Sequence, residues 1–187
     1  MNYATIKKFD IANGPGVRVS VFVSGCRHKC KNCFNSEAWD FNYGEKFDES
    51  VINEVVEAAG KSYIEGLSLL GGEPMETENR AGLITLLKKF KEKYPEKTVW
   101  CYTGYVFDEE LLKGKAGDID SVKELLSYID VLVDGRFVEE LKSLALLFRG
   151  SSNQRIIDVR KSLEENKTVL LEGKWERTMG STDIEEK

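Results

Sequence analysis

Apolar and polar positions along the chain switch between two periods. "VRVSVFV" (17–23) alternates as a half-buried strand does, whereas "DESVINEVVEAAGK" (48–61) repeats its apolar residues as one face of a helix. "IEGLSLL" (64–70) predicts a second strand, "ETENRAGLITLLKKFKEKY" (76–94) a helix that Pro95 ends, and "KTVWCY" (97–102) a third strand. Further on, "DSVKELLSY" (120–128) reads as a helix and "IDVLVD" (129–134) as a strand. Val138 to about Leu144 reads as a short helix, and "RIIDV" (155–159) and "TVLL" (168–171) read as closing strands.

Strand and helix in alternation imply right-handed crossovers and an α/β fold with a mostly parallel sheet. With five or six such units rather than the eight of a complete barrel, the sheet is expected to curve without closing. In parallel sheets the ligand-binding loops gather beyond the C-terminal ends of the strands. The loop after 17–23 and the "GGEP" (71–74) after 64–70 are therefore expected on one rim.

The length of 187 residues suits a single domain, expected over 1–176; from about Arg177 few residues are apolar, and 177–187 reads as a flexible tail. No apolar run is long enough to cross a bilayer, so no membrane anchor is expected. "MNYATIKKFDIANGPG" lacks the basic start, apolar stretch and cleavage site of a secretory signal, which predicts a cytoplasmic protein. A net charge of -5 without a basic patch argues against a nucleic-acid partner.

Three of the four cysteines fall in "SGCRHKCKNCFN" (24–35). Such crowding does not resemble a disulfide framework, and the loop is too short and polar to hide three thiols as packing, so shared coordination of a metal is the expectation. A structural zinc would need a fourth ligand from Cys101 or His28. Cys101 lies on an apolar strand, where a free thiol behaves as a small buried hydrophobe. His28 reads as a solvated side chain or as a hydrogen-bond donor to the ligands rather than a ligand itself. Thiolates from Cys26, Cys30 and Cys33 suit an iron-sulfur cube with one iron left open, and an open metal position is where chemistry occurs.

C-x3-C-x2-C after one strand, with Gly-Gly-Glu-Pro after the next, resembles the radical S-adenosylmethionine (SAM) superfamily, whose fold is an incomplete (β/α)6-type barrel. "GPGVRVSVFVSGCRHKCKNCFNSEAW" (14–39), "VDGRFVEELKSL" (133–144) and "FRGSSNQRIIDV" (148–159) resemble more narrowly the activating proteins of anaerobic (class III) ribonucleotide reductases. The resemblance implies a 4Fe-4S cluster on Cys26, Cys30 and Cys33, with SAM chelating the open iron. Gly71, Gly72 and Glu73 would hold the SAM amino group. Asn32 replaces the aromatic residue common before the third cysteine, so adenine contact would fall to Asn32, Cys33 and Phe34. Thr103, Asp134 and Arg136, in "YTG" and "DGR", are further candidates for SAM contact, with a tight turn at Asp134-Gly135 as the alternative.

The implied reaction is a one-electron cleavage of SAM, driven by a flavodoxin-like donor. It yields methionine and a 5'-deoxyadenosyl radical, which takes hydrogen from a glycine of the anaerobic ribonucleoside-triphosphate reductase. The cofactors carry this chemistry, and the sequence offers no Ser-His-Asp or Cys-His nucleophile of its own. Other small radical SAM enzymes, of the pyruvate formate-lyase activator or deazaguanine synthase type, and a non-catalytic electron-transfer module are the competing readings.

Overall fold

The chain begins with a strand that its periodicity conceals. In the computed structural model, which describes residues 1–173, β1 (Asn2–Asp10) pairs antiparallel with β2 (Val17–Val23). The register slips between Tyr3 and Thr5 and again between Lys7 and Asp10. Such irregularities break the two-residue alternation by which a strand is recognised. The connection 11–16 is too short for the crossover that a parallel neighbour requires, so β1 returns alongside β2 in the opposite sense.

A two-residue strand, β3 (Glu45–Lys46), extends the β1 edge. The helix α1 (Glu49–Ala59) follows and leads to β4 (Ile64–Gly71); α2 (Thr77–Lys93) leads to β5 (Thr98–Tyr102), and α3 (Ile119–Ser127) to β6 (Val131–Asp134). After β6 the chain runs through a long rim loop to β7 (Arg155–Asp158) and α4 (Val159–Glu165). The seven strands form one sheet in the order β3-β1-β2-β4-β5-β6-β7.

The protein is thus mixed α/β, and the expected "mostly parallel" sheet needs correction. Only β2, β4, β5 and β6 run parallel; the β1–β2, β1–β3 and β6–β7 pairs are antiparallel. Helical crossovers join only the central four strands, which is why only they share a direction. Among the described residues the expected helix near 138–144 is a 3-10 turn, Glu139–Leu141, and the expected strand at 168–171 is a single bridge, Leu170 to Ile157. Val159 belongs to α4 rather than to the preceding strand, because Asp158 caps that helix through the Lys161 amide. A π-helical turn at Phe107–Leu111 was not anticipated. The expected tail 177–187 lies outside the described residues.

Period-2 residues Val19, Val21, Val23, Leu67, Leu69, Val99, Cys101 and Leu132 face the helices and join one core. Cys101 is fully buried there, as its apolar strand predicts. From α2, Leu83, Leu86, Leu87 and Phe90 are wholly excluded from water, each contributing roughly 2 kcal/mol of burial. The opposite face carries a smaller cluster of Trp100, Val131, Val133 and Ile156, beside the buried Arg18. Arg18 donates to Ser68 Oγ, Thr98 Oγ1 and the carbonyls of Pro15, Leu67 and Thr98, which ties β2 to β4 and β5. Among the described residues no helix is long and apolar enough to cross a membrane.

The outer strand is held by charge as well as by its ladder. Arg155 donates through Nε and a terminal nitrogen to Asp134 (3.0 and 2.5 Å) and reaches Asp108 at 2.8 Å, while Asp134 itself is 1% exposed. Arg155→Met leaves a buried carboxylate without its counter-charge. It is expected to lower unfolding free energy by about 3 kcal/mol, read as a lower urea midpoint with an unchanged slope.

Candidate functional site

Because β2, β4, β5 and β6 run parallel, the segments that follow them emerge on one rim. The cysteine loop leaves β2 and is closed at its base, where the Gly25 and Cys26 amides donate to the carbonyls of Ala38 (2.8 Å) and Trp39 (3.1 Å). Within it, Lys29 and Asn32 adopt left-handed conformations (φ 48° and 56°), and the Cys33 amide donates to the Cys30 carbonyl at 3.1 Å. These turns wind Cys26, Cys30 and Cys33 into one compact loop. All three thiols are free; Cys26 is buried and the other two are half-buried.

Burial, and then the negative charge of Glu73, push the Cys26 thiol up to about 12, against backbone N–H groups of His28 and Lys29 that favour its thiolate. Burial also raises Cys30, opposed by the backbone N–H of Phe137 and by the Arg136 charge. N–H groups directed at the sulfurs suit thiolates bound to a metal, whose charge would offset the burial. Among the described residues no group of three or more His, Cys, Asp or Glu side chains converges as a single ion requires. A 4Fe-4S cube makes no such demand, since each thiolate binds a different iron.

The Gly-Gly-Glu-Pro turn packs directly on the base of this loop. The Gly72 amide donates to Val23 O at 2.7 Å and the Glu73 amide to Gly25 O at 2.8 Å. A Cβ on Gly71 (φ +106°) would lie 2.8 Å from the Phe22 and Val23 backbone, and one on Gly72 would lie 2.6 Å from Gly25 O. Both glycines are thus demanded by the close approach of two rim segments. Just beyond, the buried Glu76 accepts from the Arg27 backbone and guanidinium, Glu78 takes the other end of that guanidinium, and Phe41 covers it at 4.4 Å.

Glu73 is the hub. Its carboxylate is 1% exposed and accepts four donors: Met75 N (2.9 Å) and Thr103 Oγ1 (2.7 Å) on Oε1, Gly104 N (2.7 Å) and His28 Nε2 (3.0 Å) on Oε2. His28 is not solvated, contrary to one of the sequence expectations. Its side chain is 6% exposed, edge-on to Tyr105, and its Nδ1 accepts from Arg136 Nε at 3.2 Å. Arg136 also pairs with Glu110.

The structure thus links the cysteine loop, Gly71 to Glu73, Thr103 and Arg136 through two side chains, Glu73 and His28. Asp134 stands apart: both its oxygens are engaged by Arg155, and Oδ2 also accepts from Phe107 N at 2.8 Å. Asn32 is exposed, and Phe34 projects into solvent at 98% exposure. The polar run of "RGSSNQ" clasps the rim loop onto itself. Gln154 accepts from the Gly150 and Ser151 amides and donates to Gly135 O, Asn153 donates to Arg136 O, and Ser151 Oγ accepts from Val138 N. The anchoring roles of Arg27, Glu76, Tyr105, Glu110 and Arg155 were not foreseen from sequence, where each reads as an ordinary surface or strand position.

A family model described as a 4Fe-4S single cluster domain matches residues 12–157, and the three-cysteine rim loop falls within it. The chain is therefore a 4Fe-4S single-cluster domain protein. Over 156 residues it is 40% identical to the anaerobic ribonucleoside-triphosphate reductase-activating protein of Enterobacteria phage T4, spanning 83% of this chain and 93% of the phage protein. The proteins of the same name from Vibrio cholerae (39% over 158 residues; 83% of this chain, 97% of the relative) and Escherichia coli K12 (36% over 163 residues; 86% and 100%) are similar to it. This chain belongs to the family of anaerobic ribonucleoside-triphosphate reductase-activating proteins.

Four donors on one buried carboxylate make Glu73→Gln a sharp test of the hub. Whichever way the amide turns, its NH2 meets a backbone N–H, of Met75 or of Gly104. Glu73→Gln is expected to cost about 2 kcal/mol of stability, measured by urea unfolding, although it preserves shape.

Proposed function

We propose that this chain is a radical SAM activase that installs a glycyl radical on an anaerobic ribonucleoside-triphosphate reductase. One observation carries the reading: three free thiols on a single loop, whose base is hydrogen-bonded to the Gly-Gly-Glu-Pro turn, in a chain aligned with reductase-activating proteins over most of its length. The reading takes 1–176 as one radical SAM domain with an incomplete barrel-type sheet, acting in the cytoplasm with a flavodoxin-like electron donor.

Cys26, Cys30 and Cys33 would hold the 4Fe-4S cluster, and the backbone N–H groups of His28, Lys29 and Phe137 would stabilise their thiolates. When bound, the cluster would supply the electron that splits SAM into methionine and a 5'-deoxyadenosyl radical, which removes a hydrogen atom from the reductase glycine. Gly71, Gly72 and Glu73 would seat the methionyl amine, through backbone groups, because the Glu73 carboxylate is already saturated. Adenine would lie against Asn32, Cys33 and Phe34. The exposed Phe34 is then available to be covered as ligand and partner arrive. Thr103 and Asp134, whose acceptors are engaged internally, would contribute by fixing the ends of β5 and β6, and Arg136 by its hold on His28. No general base is needed, since positioning and exclusion of water are what the protein adds.

Anaerobic reconstitution with iron and sulfide is expected to give a brown protein that releases 5'-deoxyadenosine from SAM on reduction with dithionite. With a class III reductase it is expected to produce the glycyl doublet in electron paramagnetic resonance. Cys26→Ala, Cys30→Ala and Cys33→Ala are each expected to reduce 5'-deoxyadenosine to background, whereas Cys101→Ala retains the colour and the cleavage. A wild-type protein that carries iron but releases no 5'-deoxyadenosine would reject the activase.

A further inference from the structure

We infer that His28 is the positioning residue that fastens the cysteine loop to the other three rim segments, by bridging the Glu73 carboxylate and the Arg136 guanidinium. It lies between Cys26 and Cys30, yet the partners of its ring belong to other strands' ends. Glu73 follows β4, Gly104 and Tyr105 follow β5, and Arg136 follows β6.

Hydrogen bonding fixes the form of the ring. The Nε of an arginine always carries a hydrogen, so Nδ1 of His28, at 3.2 Å from Arg136 Nε, must accept. The ring proton then resides on Nε2 and is donated to Glu73 Oε2 at 3.0 Å. The other tautomer would lose both bonds. One face of the site thus reads carboxylate, imidazole, guanidinium, and the chain of contacts ends on Glu110, which pairs with Arg136 at 3.0 Å.

Space is matched as closely as charge. The ring packs edge-on against Tyr105 with centroids 4.4 Å apart, and a Cβ on Gly104 would stand 2.4 Å from His28 Cδ2. Only a glycine at 104 leaves room for the imidazole. Arg27 fastens the same loop to the start of α2 through Glu76 and Glu78, so two neighbouring residues pin the loop at two points. The Arg27 guanidinium is half-exposed, as is Arg136 at the far end of the bridge, whereas the His28 ring and Glu73 between the motif segments are buried. With that bridge intact, Cys26 stays buried and the relative placement of the thiols and the Gly-Gly-Glu-Pro turn is set before any ligand arrives.

The importance of this placement for the radical chemistry rests on the activase reading, but the bridge can be tested in metal-free protein. Iodoacetamide labelling, followed by mass spectrometry, reads how often Cys26 leaves its buried site. His28→Phe keeps the ring against Tyr105 and removes both hydrogen bonds. It is expected to label at Cys26 at least about tenfold faster, at a temperature where circular dichroism shows both variant and wild type fully folded, as local opening without global unfolding predicts. His28→Gln, whose amide both donates and accepts, is expected to stay within about threefold of wild type. Arg136→Met removes the far end of the bridge while leaving the imidazole in place. It is expected to open the loop in the same direction, and it decides the matter if His28→Phe fails to fold.

In protein loaded with iron and sulfide, His28→Phe is expected to lose iron to a chelator roughly 10- to 100-fold faster than wild type, with His28→Gln restoring retention. Wild-type labelling rates at Cys26 in both His28→Phe and Arg136→Met overturn the bridge. So does a His28→Gln protein as open as His28→Phe. A wild-type chain that takes up no cluster would strike the activase reading alone, because the labelling comparison still decides the role of His28.

Discussion

A buried carboxylate must be satisfied by donors, and Glu73 takes its donors from three different segments of the rim. Met75 belongs to its own turn, Thr103 and Gly104 to the end of β5, and His28 to the cysteine loop. Removing any of these partners leaves a desolvated charge short of a bond, so the rim segments cannot drift independently. The loop that carries the thiols is thereby registered against a rigid sheet, although it contains no regular secondary structure between Cys26 and Cys33.

The same logic identifies the motif residues that build the frame of the rim. Gly71 and Gly72 lack side chains because β2 and its loop pass within van der Waals contact of them. Asp134 and Thr103 end parallel strands at the rim, where a ligand contact would be expected, but their oxygens are consumed by Arg155, Glu73 and backbone amides. In "RGSSNQ" the serine, asparagine and glutamine side chains are spent on a clasp that shapes the loop between β6 and β7. That loop reaches back to the site, since the Phe137 amide favours the Cys30 thiolate. Cys30 is thereby connected to the loop between β6 and β7.

Parallel strands explain why the site gathers at one edge of the sheet. Four strand ends deliver four segments to one edge, and among the described residues the sheet is open, running from β3 to β7 with no pairing between those end strands. An open rim with exposed residues such as Phe34 beside the thiols leaves room for a segment of another protein to approach. The family to which the chain belongs is named for acting on a protein, and an unclosed sheet accords with that.

Much of this was legible in the chain itself. The apolar periods of 17–23, 64–70, 97–102 and 129–134 determine the four central strands, and helices between them force those strands to be parallel. Parallel strands in turn oblige the three thiols and the Gly-Gly-Glu-Pro turn to share a rim. Cys101 was assigned to the core by its apolar strand alone. What the periodicity could not reveal was β1, whose two register slips erase its alternation, and α4, whose start depends on the Asp158 cap. The tertiary structure alone decided which side chains meet. His28 and Arg136 are 108 positions apart, and Glu73 lies 30 from Thr103, separations at which local patterning carries no information. Hydrophobic spacing reports which side of an element is buried, whereas a polar group's partner depends on where whole strands end in space.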